Sequence, residues 1–120
     1  MNRFLPDILQ RYFECWQKRD VGAVIKLFTE EATYEIVGKR RLRGYGELER
    51  YWQKVANSQD DLSWEVSEAL QMENEILATW QAEFLRKDSR RRLRLDGIMW
   101  MTLENGKICK FRESYRRDEL

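Results

Sequence analysis

Histidine is absent from this 120-residue chain. No imidazole is therefore present to act as a general base near neutral pH, to complete a nucleophile triad or to ligate a metal ion. Any acid–base chemistry has to rest on Asp, Glu, Tyr, Lys or Cys side chains.

Cysteine and long apolar runs are also scarce. Cys15 and Cys109 lie far apart without metal-ligand spacing, so we expect two free thiols in a reducing cytoplasm and no metal site. The N-terminus lacks the apolar region of a signal peptide, and no apolar run has transmembrane length. We expect a cytoplasmic protein without a membrane partner, folded as one domain over residues 1–120.

An excess of charge of either sign is lacking as well. The chain has 22 basic and 21 acidic residues, a balance that argues against a nucleic-acid partner. Arginines are nevertheless concentrated between residues 86 and 94. This run is typical of a solvated hairpin, and the functional alternative is a rim that attracts anionic small molecules.

The first half of the chain has helical periodicity. Residues 4–18 place apolar side chains three and four positions apart, which predicts one helix with a broad apolar face. Asp20 is a suitable N-cap for a second helix, VGAVIKLF. The segment TYEIV alternates like a short strand, GKRRLRG follows as a hairpin or loop, and ELERYWQKVA again has helical spacing.

From residue 62 the period changes to two. Four segments, LSWEVSEALQM, EILATWQAEFL, RRLRLDGIMWMTL and KICKFRESY, read as long strands separated by the turn signals ENE, KDS and ENG. The pattern predicts an α+β fold in which three N-terminal helices pack on a curved antiparallel sheet.

Two longer segments resemble a known superfamily. RYFECWQKRDVGAVIKLFTEEATYEI and ENGKICKFRESY resemble the opening and the last hairpin of NTF2-like proteins, in particular their SnoaL-like and ketosteroid-isomerase-like branch. The resemblance implies an NTF2-like (cystatin-like) cone with a hydrophobic pocket, a hydrophobic small-molecule ligand and no cofactor. Both faces of the predicted strand over residues 93–103 carry apolar groups, so the sheet needs two covers, and we expect a homodimer in which a second chain covers the outer face.

The resemblance assigns expected roles to several residues. Tyr12 falls where the isomerases keep a phenol that donates to an oxyanion, and Asp96 falls near their protonated carboxylic acid. Their general-base aspartate aligns with Ile36, so this chain lacks that group or uses Glu35 after a one-residue slip. Glu113 falls at a last-strand acid of the epoxide-hydrolase branch.

Asp96 has two interpretations from the residues alone. In one strand, Arg94, Asp96, Ile98 and Trp100 share a face, where Asp96 beside Trp100 would be desolvated and its pKa raised. The pair Asp96-Gly97 is also a strong hairpin-turn signal. We favour the strand, because apolar alternation of the odd positions runs through Gly97. Arg94-Leu95-Asp96 also faintly resembles an Arg-x-Asp motif of the epoxide hydrolases.

The other candidates also have structural interpretations. Tyr12 fits ordinary core packing. Glu113, a carboxylate on an apolar strand face, is either a pocket acid or the partner of an arginine on the next strand. The expected pocket wall, part of which is equally well plain core, consists of Trp16, Tyr34, Ile36, Trp52, Trp80, Phe84, Arg94, Trp100 and Phe111.

We therefore expect a SnoaL-like small-molecule-binding protein. If it is an enzyme, the expectation is a cofactor-independent isomerase or cyclase for a hydrophobic carbonyl compound, with Tyr12 and Asp96 polarising the oxygen and Glu113 or Glu35 moving the proton. The alternatives are a non-catalytic NTF2-like dimerisation or binding module and an epoxide-hydrolase-like enzyme.

Overall fold

The computed structural model describes residues 5–120, so Phe4 of the first predicted helix lies outside the described residues. Within this range the chain forms three helices and six strands. In chain order they are α1 (Asp7–Lys18), α2 (Val21–Ile25), β1 (Phe28–Ile36), β2 (Arg40–Arg43), α3 (Gly44–Ser58), β3 (Gln59–Met72), β4 (Glu75–Arg86), β5 (Arg91–Glu104) and β6 (Lys107–Glu119).

The two longer helices follow the apolar period of the sequence. The predicted face of α1 is buried and consists of Ile8, Leu9, Tyr12, Phe13 and Trp16. In α3 the buried residues are Leu48 and Trp52. These side chains join the inner face of the sheet in one hydrophobic core.

The second helix has the predicted cap but is shorter than predicted. The Asp20 carboxylate accepts a hydrogen bond from the backbone N–H of Ala23 at 3.1 Å. The helix ends at Ile25, and β1 begins at Phe28. Phe28 pairs with Ile108 of β6, so pairing with a distant strand replaces the last turn expected from local sequence.

All six strands form one sheet in the order β2-β1-β6-β5-β4-β3. The predicted antiparallel sheet is wrong at one pairing, because β1 and β6 run parallel while the other neighbours are antiparallel. These two strands come from opposite ends of the chain. No hairpin fixes their relative direction, and only the tertiary packing decides it.

The position of the third helix is a second correction. The hairpin of β1 and β2 precedes α3, so the three helices do not form an uninterrupted N-terminal block. The long strands carry register shifts between β3 and β4 and between β5 and β6. Such bulges bend a strand, which lets the sheet curve over the helices.

Strand β5 settles the ambiguity of Asp96-Gly97. Residues 91–104 form a single strand through this pair, as favoured from the sequence. Gly97 pairs with Trp80 of β4, and a Cβ atom built on Gly97 would lie only 2.6 Å from Cε2 of the Trp80 indole. The glycine is thus required by close packing of a ring on the strand backbone, not by a turn.

Candidate active site

A cavity of about 80 Å³ lies between the helices and the inner face of the sheet. Seven of the residues predicted for the site line it: Tyr12, Trp16, Tyr34, Trp52, Trp80, Phe84 and Glu113. Its wall is completed by Tyr51, Val55, Gln59, Leu95, Tyr115 and Arg117. The wall is mainly aromatic, and Glu113 is its only carboxylate among residues 5–120.

Glu113 is held on the inner face of β6 and is only 6% exposed. Its Oε2 accepts a hydrogen bond from the hydroxyl of Tyr34 at 2.8 Å. The hydroxyls of Tyr34 and Tyr12 are 3.2 Å apart. Because Tyr34 gives its one proton to the carboxylate, Tyr12 donates to Tyr34, and the three side chains form a hydrogen-bonded chain.

Burial controls the protonation of these three hydrogen-bonded side chains. Desolvation raises the pKa of Glu113 from its ordinary value of 4.5 to about 7, and the hydrogen bond from Tyr34 lowers it only in part. No cation contributes to the shift. Of the two interpretations open from the sequence, the pocket acid fits and the ion pair with an arginine of the next strand is not observed among the described residues, where the carboxylate is instead stabilised by a phenol.

The phenols around Glu113 all remain protonated at neutral pH. Burial, followed by the charge of Glu113, raises the pKa values of Tyr12 and Tyr34 well above the usual range. The same two causes raise the pKa values of Tyr51 and Tyr115. These four groups are uncharged donors, so Glu113 is the cavity group that titrates near neutral pH.

Two further polar groups in the cavity wall have no partner. The indole nitrogens of Trp52 and Trp80 are buried and make no hydrogen bond among the described residues. Their side chains belong to residues only 4% and 2% exposed. A buried donor without an acceptor costs about 1–3 kcal/mol. The Trp80 nitrogen packs against β5, 2.8 Å from where a Cβ atom on Gly97 would lie.

Asp96 does not belong to this cavity, which corrects the sequence-based assignment. Odd positions of β5 face the helices, so Asp96 lies on the outer face with Arg94 and Trp100. Arg94 Nε lies 3.1 Å from Asp96 Oδ2, and this hydrogen bond lowers the pKa of Asp96 instead of raising it. Trp100 likewise donates to Glu75 on that face. The Arg94-Leu95-Asp96 motif therefore contributes only Leu95 to the cavity.

Three other candidates also lie outside the cavity wall. Ile36 is buried beside Glu113 in the strand register but does not line the cavity. Phe111 stacks on Tyr34 with ring centroids 4.6 Å apart and supports it from behind. Glu35 faces outward, where it contacts Arg41 and Arg112 at 3.4 and 3.5 Å, so the one-residue slip is not observed.

The arginine-rich segment is a paired hairpin, not a cavity rim. Arg86 contacts Asp88 of the same turn, and Arg91 contacts Glu119. Arg92 contacts Asp61. The segment thus matches the solvated-hairpin interpretation.

Other expected features can be compared directly. Cys15 and Cys109 are free, as predicted, and burial raises the pKa of each thiol. In residues 5–120, no three or more Cys, Asp or Glu side chains cluster closely enough to hold a metal ion. None of the helices in that range combines the length and hydrophobicity that a membrane crossing requires.

Comparison with known families agrees with this architecture. Residues 9–111 match the SnoaL-like domain. The chain belongs to the SnoaL-like domain family. This match covers most of the chain and confirms the NTF2-like superfamily resemblance found in the sequence.

Solved structures share the fold of this SnoaL-like domain at low identity. An epoxide hydrolase/cyclase-like enzyme, SalBIII, involved in pyran ring formation in the polyether salinomycin, has a TM-score of 0.84 at 23% identity, covering 95% of this chain and 94% of its own. An LEH-like epoxide hydrolase from M. tuberculosis has a TM-score of 0.79 at 14% identity, with coverage of 91% and 80%.

A third structure extends the likeness to the isomerase-like fold. It is a hypothetical protein from Catenulispora acidiphila with a ketosteroid isomerase-like fold, in complex with trimethylamine; its TM-score is 0.81 at 11% identity, with coverage of 92% and 85%. No curated protein matches the chain. At these identities the structural likeness establishes the fold of the SnoaL-like domain and leaves the reaction to its own residues.

Sequence reasoning missed several residues of the SnoaL-like cavity. Tyr51 lies one position before Trp52 on the apolar side of α3, and Tyr115 shares strand parity with Glu113. Both signals were present in the periodicity. The sequence does not indicate Gln59 and Arg117 as pocket residues, because polar side chains are not expected in an apolar wall. They reach the cavity through the packing of β3 and β6 beside it.

Proposed function

We propose that this SnoaL-like domain is a cofactor-independent enzyme that moves a proton on a hydrophobic carbonyl compound, in an isomerisation or a ring closure. Glu113 is the general acid–base group. The observation that carries the proposal is a single carboxylate, 6% exposed, in an aromatic cavity with its pKa raised to about 7.

This pKa suits proton transfer in both directions. A catalytic group works best when its pKa lies near the operating pH, because both protonation states are then populated. The ionised Glu113 takes a proton from the carbon next to a carbonyl, leaving an enolate. In an isomerisation the protonated Glu113 returns the proton to another carbon of the enolate. In a ring closure the enolate carbon forms a C–C bond to a second carbonyl carbon of the substrate, the π bond of that carbonyl breaks, and the resulting alkoxide takes the proton from Glu113. Tyr34 holds the carboxylate in place throughout.

The substrate oxygen needs donors other than those expected from the sequence. The hydroxyl of Tyr12 already donates to Tyr34, and Asp96 lies on the outer face. The phenols of Tyr51 and Tyr115 line the cavity and stay protonated, so they are the remaining donors in its wall. Hydrogen bonds from preorganised donors stabilise a developing oxyanion.

The cavity composition favours ring closure or isomerisation over epoxide hydrolysis. The ring-forming role of SalBIII belongs to that protein, but it is consistent with a SnoaL-like cavity performing acid–base chemistry on an oxygen-rich chain. The epoxide-hydrolase pattern considered from the sequence needs more than one carboxylate and an arginine in the pocket. Arg117 does line the cavity, but Arg94 and Asp96 lie outside it, and Glu113 is its only carboxylate among the described residues, so the second carboxylate of that pattern is missing.

Hydrogen–deuterium exchange tests the proton transfer without knowledge of the product. A panel of aryl alkyl ketones is incubated in D₂O with the protein, and loss of the α-proton signal is followed by NMR. The wild type should accelerate exchange of at least one ketone. Glu113→Gln should reduce that rate by about 10²–10⁴-fold, the usual contribution of a general base.

Glu35→Gln is the matched control. It removes a carboxylate from the neighbouring strand β1, where the side chain faces outward and does not line the cavity. The exchange rate should therefore be unchanged. Equal rates for wild type and Glu113→Gln would contradict the proposed function.

A non-catalytic binding module is the second candidate. The cavity of about 80 Å³ favours it, since sites for drug-sized ligands usually measure about 300–1,000 Å³. The absence of thermal stabilisation by any hydrophobic ketone or acid, together with the absence of exchange, would support the module, because a ligand raises the stability of the state that binds it.

A further inference from the structure

The outer end of the cavity is bordered by cations. Arg117 is the exposed residue of the cavity wall, and Tyr51 and Tyr115 are, with Val55 and Gln59, its partly exposed ones. The Nζ of Lys39 lies 4.8 Å from the centroid of the Tyr115 ring, and the Cζ of Arg40 lies 5.7 Å from that of Tyr51. Lys39, Arg40 and Arg117, which we call the rim cations, thus surround the two half-buried tyrosines of the wall.

The rim cations differ from their sequence neighbours in having no carboxylate partner. Arg41 pairs with Glu35, and Arg116 pairs with Asp118 at 3.0 Å. Within residues 5–120, none of the rim cations forms an ion pair. Adjacent positions on β2 and β6 therefore alternate between an arginine paired on the outer face and an unpaired arginine beside the cavity.

Lys39, Arg40 and Arg117 all lie near Tyr115, where three exposed cations without carboxylate partners in residues 5–120 give a positive potential that favours a bound anion. Like charges repel one another, and both lysine and arginine bind carboxylates through charge-assisted hydrogen bonds. The charge of Glu113 does not neutralise the rim cations, because no cation contributes to the shift in the Glu113 pKa. The rim is thus separated from the acid–base group and is available to a second, anionic part of a ligand.

The volume of the cavity also indicates that a ligand has two parts, one beside Glu113 and one at the rim. A volume of about 80 Å³ holds a small group and not a whole extended molecule. A larger substrate must therefore place its reacting carbonyl beside Glu113 and extend outward past Tyr51 and Tyr115. The extended part then reaches the rim cations.

We infer that the substrate is a hydrophobic keto acid whose carboxylate is bound by Lys39, Arg40 and Arg117 while its carbonyl lies in the cavity. This inference rests on the proposed function for the position of the carbonyl. The rim supplies binding and orientation and takes no part in the proton transfer. Its positive charge also attracts anions to the cavity from solution.

A matched pair of probes tests the inference. 5-Oxo-5-phenylpentanoate carries a carbonyl and a carboxylate, and its primary amide has the same shape without the charge. The Kd of each is measured by quenching of tryptophan fluorescence, since Trp16, Trp52 and Trp80 line the cavity. The wild type should bind the acid about tenfold or more tightly than the amide, and added salt should reduce this ratio.

Two triple variants with the same loss of charge separate the rim from net charge. Lys39→Gln with Arg40→Gln and Arg117→Gln should weaken binding of the acid about tenfold more than binding of the amide, so that the two Kd values come together. Lys26→Gln with Lys107→Gln and Lys110→Gln is the control, because these exposed lysines do not line the cavity. The control should keep the preference of the wild type for the acid.

Equal affinity of the wild type for both probes, or no binding of either, would overturn the inference. A loss of preference in the control triple variant would do the same, because it would assign the effect to net charge. The proposed function is tested separately, by comparing the rate of α-proton exchange of the neutral amide between the wild type and Glu113→Gln. Acid preference without exchange would refute only the proton transfer, and exchange without acid preference would refute only the rim site.

Discussion

At the scale of single residues, Glu113 is the one carboxylate that the described residues place in the cavity wall. Its surroundings are apolar or phenolic, with Tyr12 from α1, Tyr34 from β1, Tyr51 from α3 and Tyr115 from its own strand β6. Burial penalises its ionised form, and Tyr34 returns only part of that free energy. A buried carboxyl group of this kind makes the stability of the fold depend on pH.

The free energy of unfolding should therefore fall with pH because of Glu113. Its pKa is about 7 in the fold against 4.5 ordinarily, so between these values the folded state binds more protons than the unfolded state. The stabilisation is complete below the lower value and is lost as pH rises through the higher one. At about 1.4 kcal/mol per pKa unit, the loss is about 3 kcal/mol.

Chemical denaturation at pH 4 and pH 8 measures this effect. Glu113→Gln cannot ionise, so its free energy of unfolding should fall about 3 kcal/mol less than that of the wild type between the two pH values. The phenols facing Glu113 stay protonated in this range and do not obscure the result. Parallel pH profiles for wild type and variant would show that Glu113 is solvated.

At the scale of elements, β4 and β5 pack closely because Gly97 of β5 leaves room for the Trp80 indole of β4. Trp80 places its indole where a side chain on residue 97 would otherwise lie. Trp80 also lines the cavity, so the contact between the two strands fixes one wall of the candidate active site.

Gly97→Ala should destabilise the protein by about 1–3 kcal/mol, the usual cost of overpacking a core. The new methyl group would lie 2.6 Å from two indole carbons of Trp80, a rigid ring 2% exposed that has little room to move. The change is measured as the free energy of unfolding in urea.

Gly46→Ala is the control for this substitution. Gly46 lies in α3, and a Cβ atom there meets nothing within 4 Å. Alanine is favoured over glycine in helices by about 0.5–1 kcal/mol, so this variant should be as stable as the wild type or more stable. A neutral Gly97→Ala variant would mean that Trp80 does not pack on β5 as described.

At the scale of the whole molecule, the outer face of the sheet carries apolar side chains. Val37, Ile98 and Trp100 are 45%, 51% and 43% exposed, and they border a groove of about 240 Å³ together with Leu77 and Arg112. Exposed apolar groups of this size are typical of interaction surfaces. The homodimer expected from the sequence stays a prediction, and this face is where a second chain would bind.

Sedimentation velocity tests the homodimer. The wild type should sediment with twice the chain mass of 14.7 kDa. Ile98→Glu should sediment as a monomer, because it would bury a charge in the apolar contact. Gln10→Glu adds the same charge to an exposed position of α1 and should leave the dimer intact. A wild type that is monomeric at all concentrations would refute the prediction.

Much of this protein was determined by its sequence alone. The apolar face of α1, the Asp20 cap and the single strand through Asp96-Gly97 follow from local periodicity and side-chain chemistry. The superfamily and most of the aromatic cavity wall were also predictable, because these side chains recur at helix or strand spacing.

The tertiary structure alone decided which face of each strand meets the helices. Alternation shows that Asp96 shares a face with Trp100, and Glu113 with Phe111, but both faces of β5 carry apolar groups. Only the packing of α1 and α3 leaves Asp96 in solvent beside Arg94 and buries Glu113 beside Tyr34. The pKa values of the two carboxyls move in opposite directions for that reason, since desolvation and ion pairing depend on neighbours far away in the sequence.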